Sequence, residues 1–386
     1  MSIREVNDAK TEKEFLKLPH KIYQDDPHWI PHLKQDIQAV FDQKKNKFFR
    51  HGDAIRWILT KNGKTIGRIA AFYNAKTNKK TKKPLGGIGF FECINDKEAA
   101  FALLEKSKEW LIEKGMQGMD GPINFGEKDK YWGLIIENFK YPPYYQQNYN
   151  PEYYRTFFEE FGFSIYYEQY IYYRSTQPPL ISLLQEKSDR IRRDPKYTFE
   201  TIKKSNLPKY AEDFRTIYNR AWVKHDAFTE MDKKQALSIM DSLKPVIDED
   251  LIYFAYYDGR PVGFFIALPE INQIFKHING NLNWWGKLKF LYHKWKGSCT
   301  TFFGIAFGID PDFQSRGLEG AIFIECQKMV RKTNKYKDLV ITWIGDFNPK
   351  MIHVIKNLGA EKLRTLATYR YYFYENKKVE RAPIIK

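Results

Sequence analysis

The chain repeats itself, and no other feature constrains its fold as strongly. A strand, an Asn62-Gly63 turn and a strand carrying Gly67 recur as a strand, an Asp258-Gly259 turn and a strand carrying Gly263. Both dipeptides favour the left-handed backbone that a two-residue hairpin requires. Farther on, Asn150-Pro151, a helical stretch, Gly162 and strand formers through Tyr173 recur as Asn348-Pro349, a helical stretch, Gly359 and strand formers through Tyr372. Gly67 and Asn150 stand 83 residues apart (150 − 67), Gly263 and Asn348 85 (348 − 263). One shared hairpin is chance; two modules at matched separation argue for a tandem duplication.

A chain of 386 residues exceeds the roughly 250–300 over which one core grows, so two domains are expected. Pro178-Pro179 breaks regular structure, and a charged helical segment follows to Arg193-Asp194-Pro195. The division reads as residues 1–177, a linker 178–196, and residues 197–386. Each copy reads as strand, helix, hairpin, strand, helix, strand, helix and a closing strand pair. That alternation gives a mixed sheet of the α+β (α/β mixed) class. In the first copy Asp96 reads as a helix N-cap and Gly115 as the stop.

The segment richest in chemistry runs from Phe307 to Phe323. A strand ends at Phe307, Gly308 and Ile309, the polar loop Asp310-Pro311-Asp312-Phe313-Gln314-Ser315-Arg316 turns, and a helix opens at Gly317-Leu318-Glu319-Gly320. A helix N-terminus exposes unpaired N–H groups and the positive dipole end, which together attract anions. An ordinary strand-to-helix loop would have the same outline. The first copy carries Ile94-Asn95-Asp96-Lys97 there, with no glycine and an acid at the helix start, a poor anion site.

This segment resembles the pyrophosphate loop of the GNAT acyl-CoA N-acyltransferase superfamily, (Gln/Arg)-x-x-Gly-x-(Gly/Ala). Gln314, Gly317 and the preceding Asp310-Pro311 match; Glu319 departs, where a small residue is usual. Hairpin, loop, helix and Asn348-Pro349 follow in GNAT order. The resemblance covers about 197–376 directly and 1–175 through the repeat. It implies two tandem GNAT-like domains, the first degenerate, and an acyltransferase moving an acyl group from acetyl-CoA or a longer acyl-CoA, or from acyl carrier protein, to an amine. It further implies that Phe307, Gly308 and Ile309 bond the pantetheine arm and that Gln314, Ser315, Arg316, Gly317, Leu318, Glu319 and Gly320 hold the pyrophosphate. The strand lacks the family's frequent glutamate, and Ile355 stands where a tyrosine is common. Asp346, Asn348 and His353 are the candidate catalytic residues, each with a structural alternative as turn, cap or packing residue. His225-Asp226 falls where acceptor-side residues of the family sit, with a plain surface loop as the alternative, and Gly121-Pro122-Ile123-Asn124 reads as a tight turn, with the lining of a cleft between the domains as its alternative. A non-catalytic protein that binds acyl-CoA or a lipid surface is the alternative function.

Net charge is +16, with 63 Lys and Arg against 47 Asp and Glu. Such a surface attracts anions, although a lysine-rich proteome alone would give the same sign. No helix-turn-helix, zinc-finger or RNA-recognition signature accompanies it, so no nucleic-acid partner is expected. Cys93, Cys299 and Cys326 are scattered, suit neither disulfides nor a metal site, and with the absence of an apolar leader fit the cytoplasm. Between Ile271 and Ile309 there is no acid but five lysines, with Trp284, Trp285 and Trp295. That insertion, where a plain GNAT fold has a tight hairpin, reads as an interfacial or lid helix at the mouth of the acyl cleft, and 273–296 as a peripheral membrane contact.

Overall fold

The computed structural model describes residues 1–79, 81–179, 182–222, 230–374 and 379–385. The first half contains β1 (Ser2–Glu5), α1 (Ala9–Ile22), α2 (Lys34–Phe41), β2 (Gly52–Lys61), β3 (Lys64–Asn74), α3 (Ala75–Asn78), β4 (Leu85–Cys93), α4 (Lys97–Glu113), β5 (Gly118–Gly121), β6 (Leu134–Glu137), α5 (Tyr153–Phe161) and β7 (Ser164–Ser175). α6 (Ser182–Arg193) connects the halves. The second contains β8 (Tyr197–Thr201), α7 (Leu207–Trp222), α8 (Lys233–Leu243), β9 (Ile252–Tyr257), β10 (Arg260–Pro269), α9 (Asn272–Phe275), α10 (Trp284–Trp295), β11 (Thr301–Ile309), α11 (Leu318–Thr333), β12 (Asp338–Gly345), α12 (Pro349–Asn357) and β13 (Glu361–Tyr372). Apart from α3, β6, α9 and α10, the two series match element for element.

Local chemistry explains the matched pieces. Asn62, Gly63, Asp258 and Gly259 all have positive φ (52°, 73°, 47° and 78°), the geometry that turns β2 into β3 and β9 into β10. Alternate residues of each hairpin serve opposite faces. Trp57, Leu59, Ile69 and Ala71 pack beneath Leu103 and Leu104 of α4, while Ile58 meets Phe15 of α1. In the second half Phe265 and Ala267 pack beneath α11, and Phe254 and Phe264 beneath Phe214 of α7.

The centre of the sheet departs from the expected closing strand pair in each copy. One sheet runs through both halves in the order β1-β2-β3-β4-β5-β13-β7-β12-β11-β10-β9-β8. Each half ends in a single strand, and the two terminal strands pair with each other across the halves, Thr365 opposite Tyr170 and Leu366 opposite Gln169. β13 thereby fills the first half's sheet beside β5, and β7 fills the second half's beside β12. The cores interlock accordingly. Tyr369 and Ala367 of β13 belong to the first-half core, and Tyr172 of β7 to the second-half core. The connectivity accounts for this: β7 is followed by Pro178-Pro179 and by α6, which packs on α11 of the second half, so no further strand of the first half follows to close its sheet.

Candidate functional site

β11 and β12 run parallel and pair only where Thr301–Gly304 faces Asp338–Ile341. Beyond that they part. The register of β11 against β10 slips at this point, leaving Ile305 as a bulge that is 40% exposed. From Ile305 to Ile309, β11 pairs with no strand on its β12 side among the described residues, so a row of backbone groups borders a wedge-shaped opening.

At the end of β11 the chain drops into a 3₁₀ turn, Pro311–Phe313. Asp310 anchors it. Its fully buried carboxylate accepts from Arg220 Nε at 2.5 Å and Nη2 at 3.1 Å, from Arg260, and from the amide of Asp312 at 3.1 Å. Burial pushes that carboxyl up, but the hydrogen bonds from Arg220, Asp312 and Arg260 outweigh it and hold it below the usual aspartate range. Gln314 Nε2 donates to the Ile309 carbonyl at 3.0 Å. Ser315 and Gly317 both take positive φ, 62° and 97°. No side chain caps α11 at Gly317, and among the described residues no group accepts from the amides of 315 to 320. Those N–H groups, the helix dipole and the exposed Arg316 form a cradle that suits a pyrophosphate.

The remaining predicted contact residues divide by role. Phe307 is half-buried against the ring of Phe323 at 5.2 Å, and Gly308 and Ile309 are buried where β11 meets β10. Leu318 and Gly320 are buried in the first turn of α11. Glu319 points a buried oxygen, Oε2, that has no hydrogen-bond partner among the described residues. A Cβ at Gly317 would stand 2.8 Å from Lys187 Cβ, so a side chain there disturbs the α6 contact as well as the cradle.

The first half closes both features. Asp96 accepts from the Ala99 amide at 3.1 Å and pairs with Lys61, so an acid occupies the start of α4. β4 and β5 also part after Gly87 and Asp120, but the chain itself fills the gap. The Ile123 amide donates to the Ile88 carbonyl at 2.7 Å, and Gly89 lies so close that a Cβ would meet Ile123 O at 1.9 Å. Gly121-Pro122, expected as a plain tight turn, thus leads this filling segment. Behind it Glu92 Oε2 accepts from Tyr23 at 2.7 Å and Tyr154 at 2.9 Å, with Arg68 Nη2 at 3.5 Å from Oε1. Glu92, Arg68 and Tyr154 border a cavity of about 30 Å³. Sequence reasoning missed this group, although Arg68 and Glu92 were visible as charges on otherwise apolar strands.

No hydrogen bond joins the three predicted catalytic residues to one another among the described residues. Asp346 follows β12 and forms an ion pair with Arg381, and its amide donates to the Glu168 carbonyl at 3.0 Å. Asn348 caps α12, its Oδ1 accepting from the Met351 amide at 3.1 Å. His353 is exposed on α12. His225 and Asp226 lie outside the described residues. The first half reaches the second beside the opening, where Lys128 O accepts from Trp343 Nε1 at 2.9 Å.

The insertion forms α10 as expected, and it lies at the Thr301 end of β11. It leaves the end of β10 and returns at Thr301, held there by Gln273, whose Oε1 accepts from the Thr300 and Thr301 amides. Thr301 and Ile309 are eight residues apart on β11, so roughly 26 Å separates this end from the loop that opens α11. No described helix is long and apolar enough to cross a membrane.

The continuous mixed sheet has the fold of tandem GNAT proteins, and solved structures share that fold. A tandem GNAT protein from the clavulanic acid biosynthesis pathway aligns over 97% of this chain and 99% of its own, with a TM-score of 0.57 at 10% identity. A GCN5-related N-acetyltransferase from Sphaerobacter thermophilus aligns over 99% and 98%, with a TM-score of 0.53 at 9% identity. The glucosamine N-acetyltransferase region of a fungal multi-domain β-N-acetylglucosaminidase aligns over 96% of this chain, with a TM-score of 0.57 at 12% identity; the chain spans 38% of that protein. No protein-family model matches the chain. Among curated proteins, Escherichia coli Protein YghO is 26% identical over 369 residues, 95% of this chain and 92% of that one. The bacterial ceramide synthase of Caulobacter vibrioides is 25% identical over 365 residues, 92% of this chain and 94% of that one.

Proposed function

We propose that the protein is an acyl-CoA-dependent N-acyltransferase whose second half alone holds the donor. The observation that carries this reading is the asymmetry between the halves. The second has an open strand edge and uncapped amides at 315 to 320, whereas the first has its edge filled by Ile123 and its helix start taken by Asp96. In this reading the pyrophosphate meets the cradle, the pantetheine arm pairs with β11 beyond Ile305, and the thioester lies in the wedge. The amine attacks the thioester carbonyl, the C–S bond breaks, and the CoA thiolate leaves. Holding the two reactants together supplies most of the acceleration. The ammonium proton must go to a base. Asn348 is engaged as a cap and His353 stands on an exposed face; Asp346, just after the strand bordering the wedge, is the group assigned to that task, and it can take the proton only when its ion pair with Arg381 opens. Ceramide, the product in one relative's name, is an amide between a fatty acid and a long-chain amine. We take a long-chain acyl donor and a lipid amine as the substrate class here.

Calorimetric titration with CoA tests the cradle. Arg316→Glu replaces an exposed cation with an anion and is expected to weaken binding at least tenfold. Glu319→Gln works in the opposite direction. A carboxylate about 5 Å from a phosphate charge costs on the order of 3 kcal/mol at an effective dielectric of about 20. The same carboxylate gains only about 0.3–1 kcal/mol from the helix dipole. Repulsion wins by about 2 kcal/mol, so removing it is expected to tighten CoA binding by about thirtyfold. Unchanged affinity in both variants would remove the pyrophosphate from this loop. Release of free CoA from palmitoyl-CoA, dependent on an added long-chain amine, tests turnover; CoA binding without such release would assign the protein to non-catalytic binding.

A further inference from the structure

α10 presents an apolar stripe to solvent. Trp284, Trp285 and Trp295 are 67%, 69% and 84% exposed, and Leu288, Leu291 and Tyr292 accompany them. At roughly 100° per residue, positions 284, 288, 291, 292 and 295 fall on one side of the helix, with 285 at its border. Lys287 and Lys294 flank this stripe on one side, Lys289 and Lys296 on the other. The opposite side is the anchored one: Gly286 is buried, Phe290 meets Phe275, and His293 stacks on His277 at 3.9 Å. None of these four lysines forms an ion pair among the described residues, and no acid occurs between Ile271 and Ile309.

We propose that α10 is a docking helix for an anionic lipid bilayer, lying flat at the headgroup level. Twelve residues make a helix of roughly 18 Å, too short to cross a hydrocarbon layer of about 30 Å. The arrangement suits the interface instead. Tryptophan and tyrosine favour the boundary between acyl chains and headgroups, and lysines on both flanks reach back to the phosphates. A second copy of the chain is the poorer occupant, because pairing two such faces would oppose lysine to lysine with no acid between them. This inference does not depend on the acyltransferase reading, since membrane docking is measured without turnover.

Flotation of the full chain on vesicles tests it. Binding to vesicles of phosphatidylcholine with phosphatidylglycerol is expected, and weaker binding to phosphatidylcholine alone. The combined Trp284→Ser, Trp285→Ser and Trp295→Ser variant alters only exposed side chains, so its melting curve should match the parent while its vesicle binding falls more than tenfold. Replacing Lys287, Lys289, Lys294 and Lys296 by glutamine should lower the anionic preference, by roughly fivefold per lysine at low salt. Failure of the parent to float on anionic vesicles overturns the proposal, as does equal flotation of the tryptophan variant. A parent that neither floats nor remains monomeric, with a monomeric tryptophan variant, would make the stripe a self-association face and equally overturn it.

Discussion

Residues 1–177 expressed alone are expected not to fold, and residues 197–386 alone likewise, whereas the two produced together should yield one soluble complex. Each piece lacks a central strand. Without β13, Gly118–Gly121 and Ser164–Ser175 have no partner between them, and the first-half core loses Tyr369 and Ala367 from positions of zero exposure. Arg370 leaves Asp120, to which it donates at 2.6 and 2.8 Å. Without β7, the second half exposes the edge of β12 and loses Tyr172. An unpaired central edge is both a loss of ladder hydrogen bonds and a template for aggregation. The effect should be all-or-none rather than a graded loss, because the missing strand borders the whole core on one side. Circular dichroism and size-exclusion chromatography of each piece, alone and co-expressed, decide it. A folded, monomeric 1–177 would mean that the halves are independent units that merely share an edge.

The sequence made the repeat legible because its markers act locally. Asn62-Gly63 and Asp258-Gly259 need only their own backbone to form the hairpin turns, and Asp96 and Asn348 need only the next turn of helix to act as caps. The strand exchange was not legible. Both terminal segments are good strands, and nothing within either one says which neighbour it pairs with; that choice depends on where α6 carries the chain. The loop at 310 to 320 was visible from its own residues, but its anchor was not, since Arg220 lies ninety positions from Asp310. Gly121-Pro122 has the composition of a turn in any context, so only the structure reveals that the segment it leads fills the first wedge. Glu319 announced itself as a departure from a pattern, and its unpartnered oxygen gives that departure a physical meaning. For α10 the sequence disclosed helix, charge, aromatics and a place just before β11, while the face it turns to solvent came from the packing of Gly286, Phe290 and His293.

Replacing Glu270 by glutamine is expected to stabilise the protein at neutral and alkaline pH and to change little in acid. Glu270 directly follows β10 at the root of the insertion and is almost fully buried. Its Oε1 accepts from the amides of Asn272 at 2.9 Å and of Tyr145, from the first half, at 3.1 Å. No cation faces it among the described residues. Burial pushes its carboxyl up to about 8, the two backbone hydrogen bonds offsetting only part of that rise. The ordinary value is 4.5, so below that pH both folded and unfolded chains hold the proton and nothing is lost. As pH rises from about 4.5 to about 8 the unfolded chain releases the proton while the folded chain keeps it, and stability falls through that window. At pH 7 the difference amounts to about 3 kcal/mol at most, since each pH unit contributes about 1.4 kcal/mol. Glutamine keeps an oxygen for both amides and puts an NH₂ where the proton was, with no charge to bury. Urea midpoints of parent and variant at about pH 5 and about pH 8 read the effect directly: the gap should widen in favour of the variant at the higher pH. A gap of the same size at both values would mean that Glu270 ionises in the folded protein as it does in the unfolded chain, and that its burial is relieved by water.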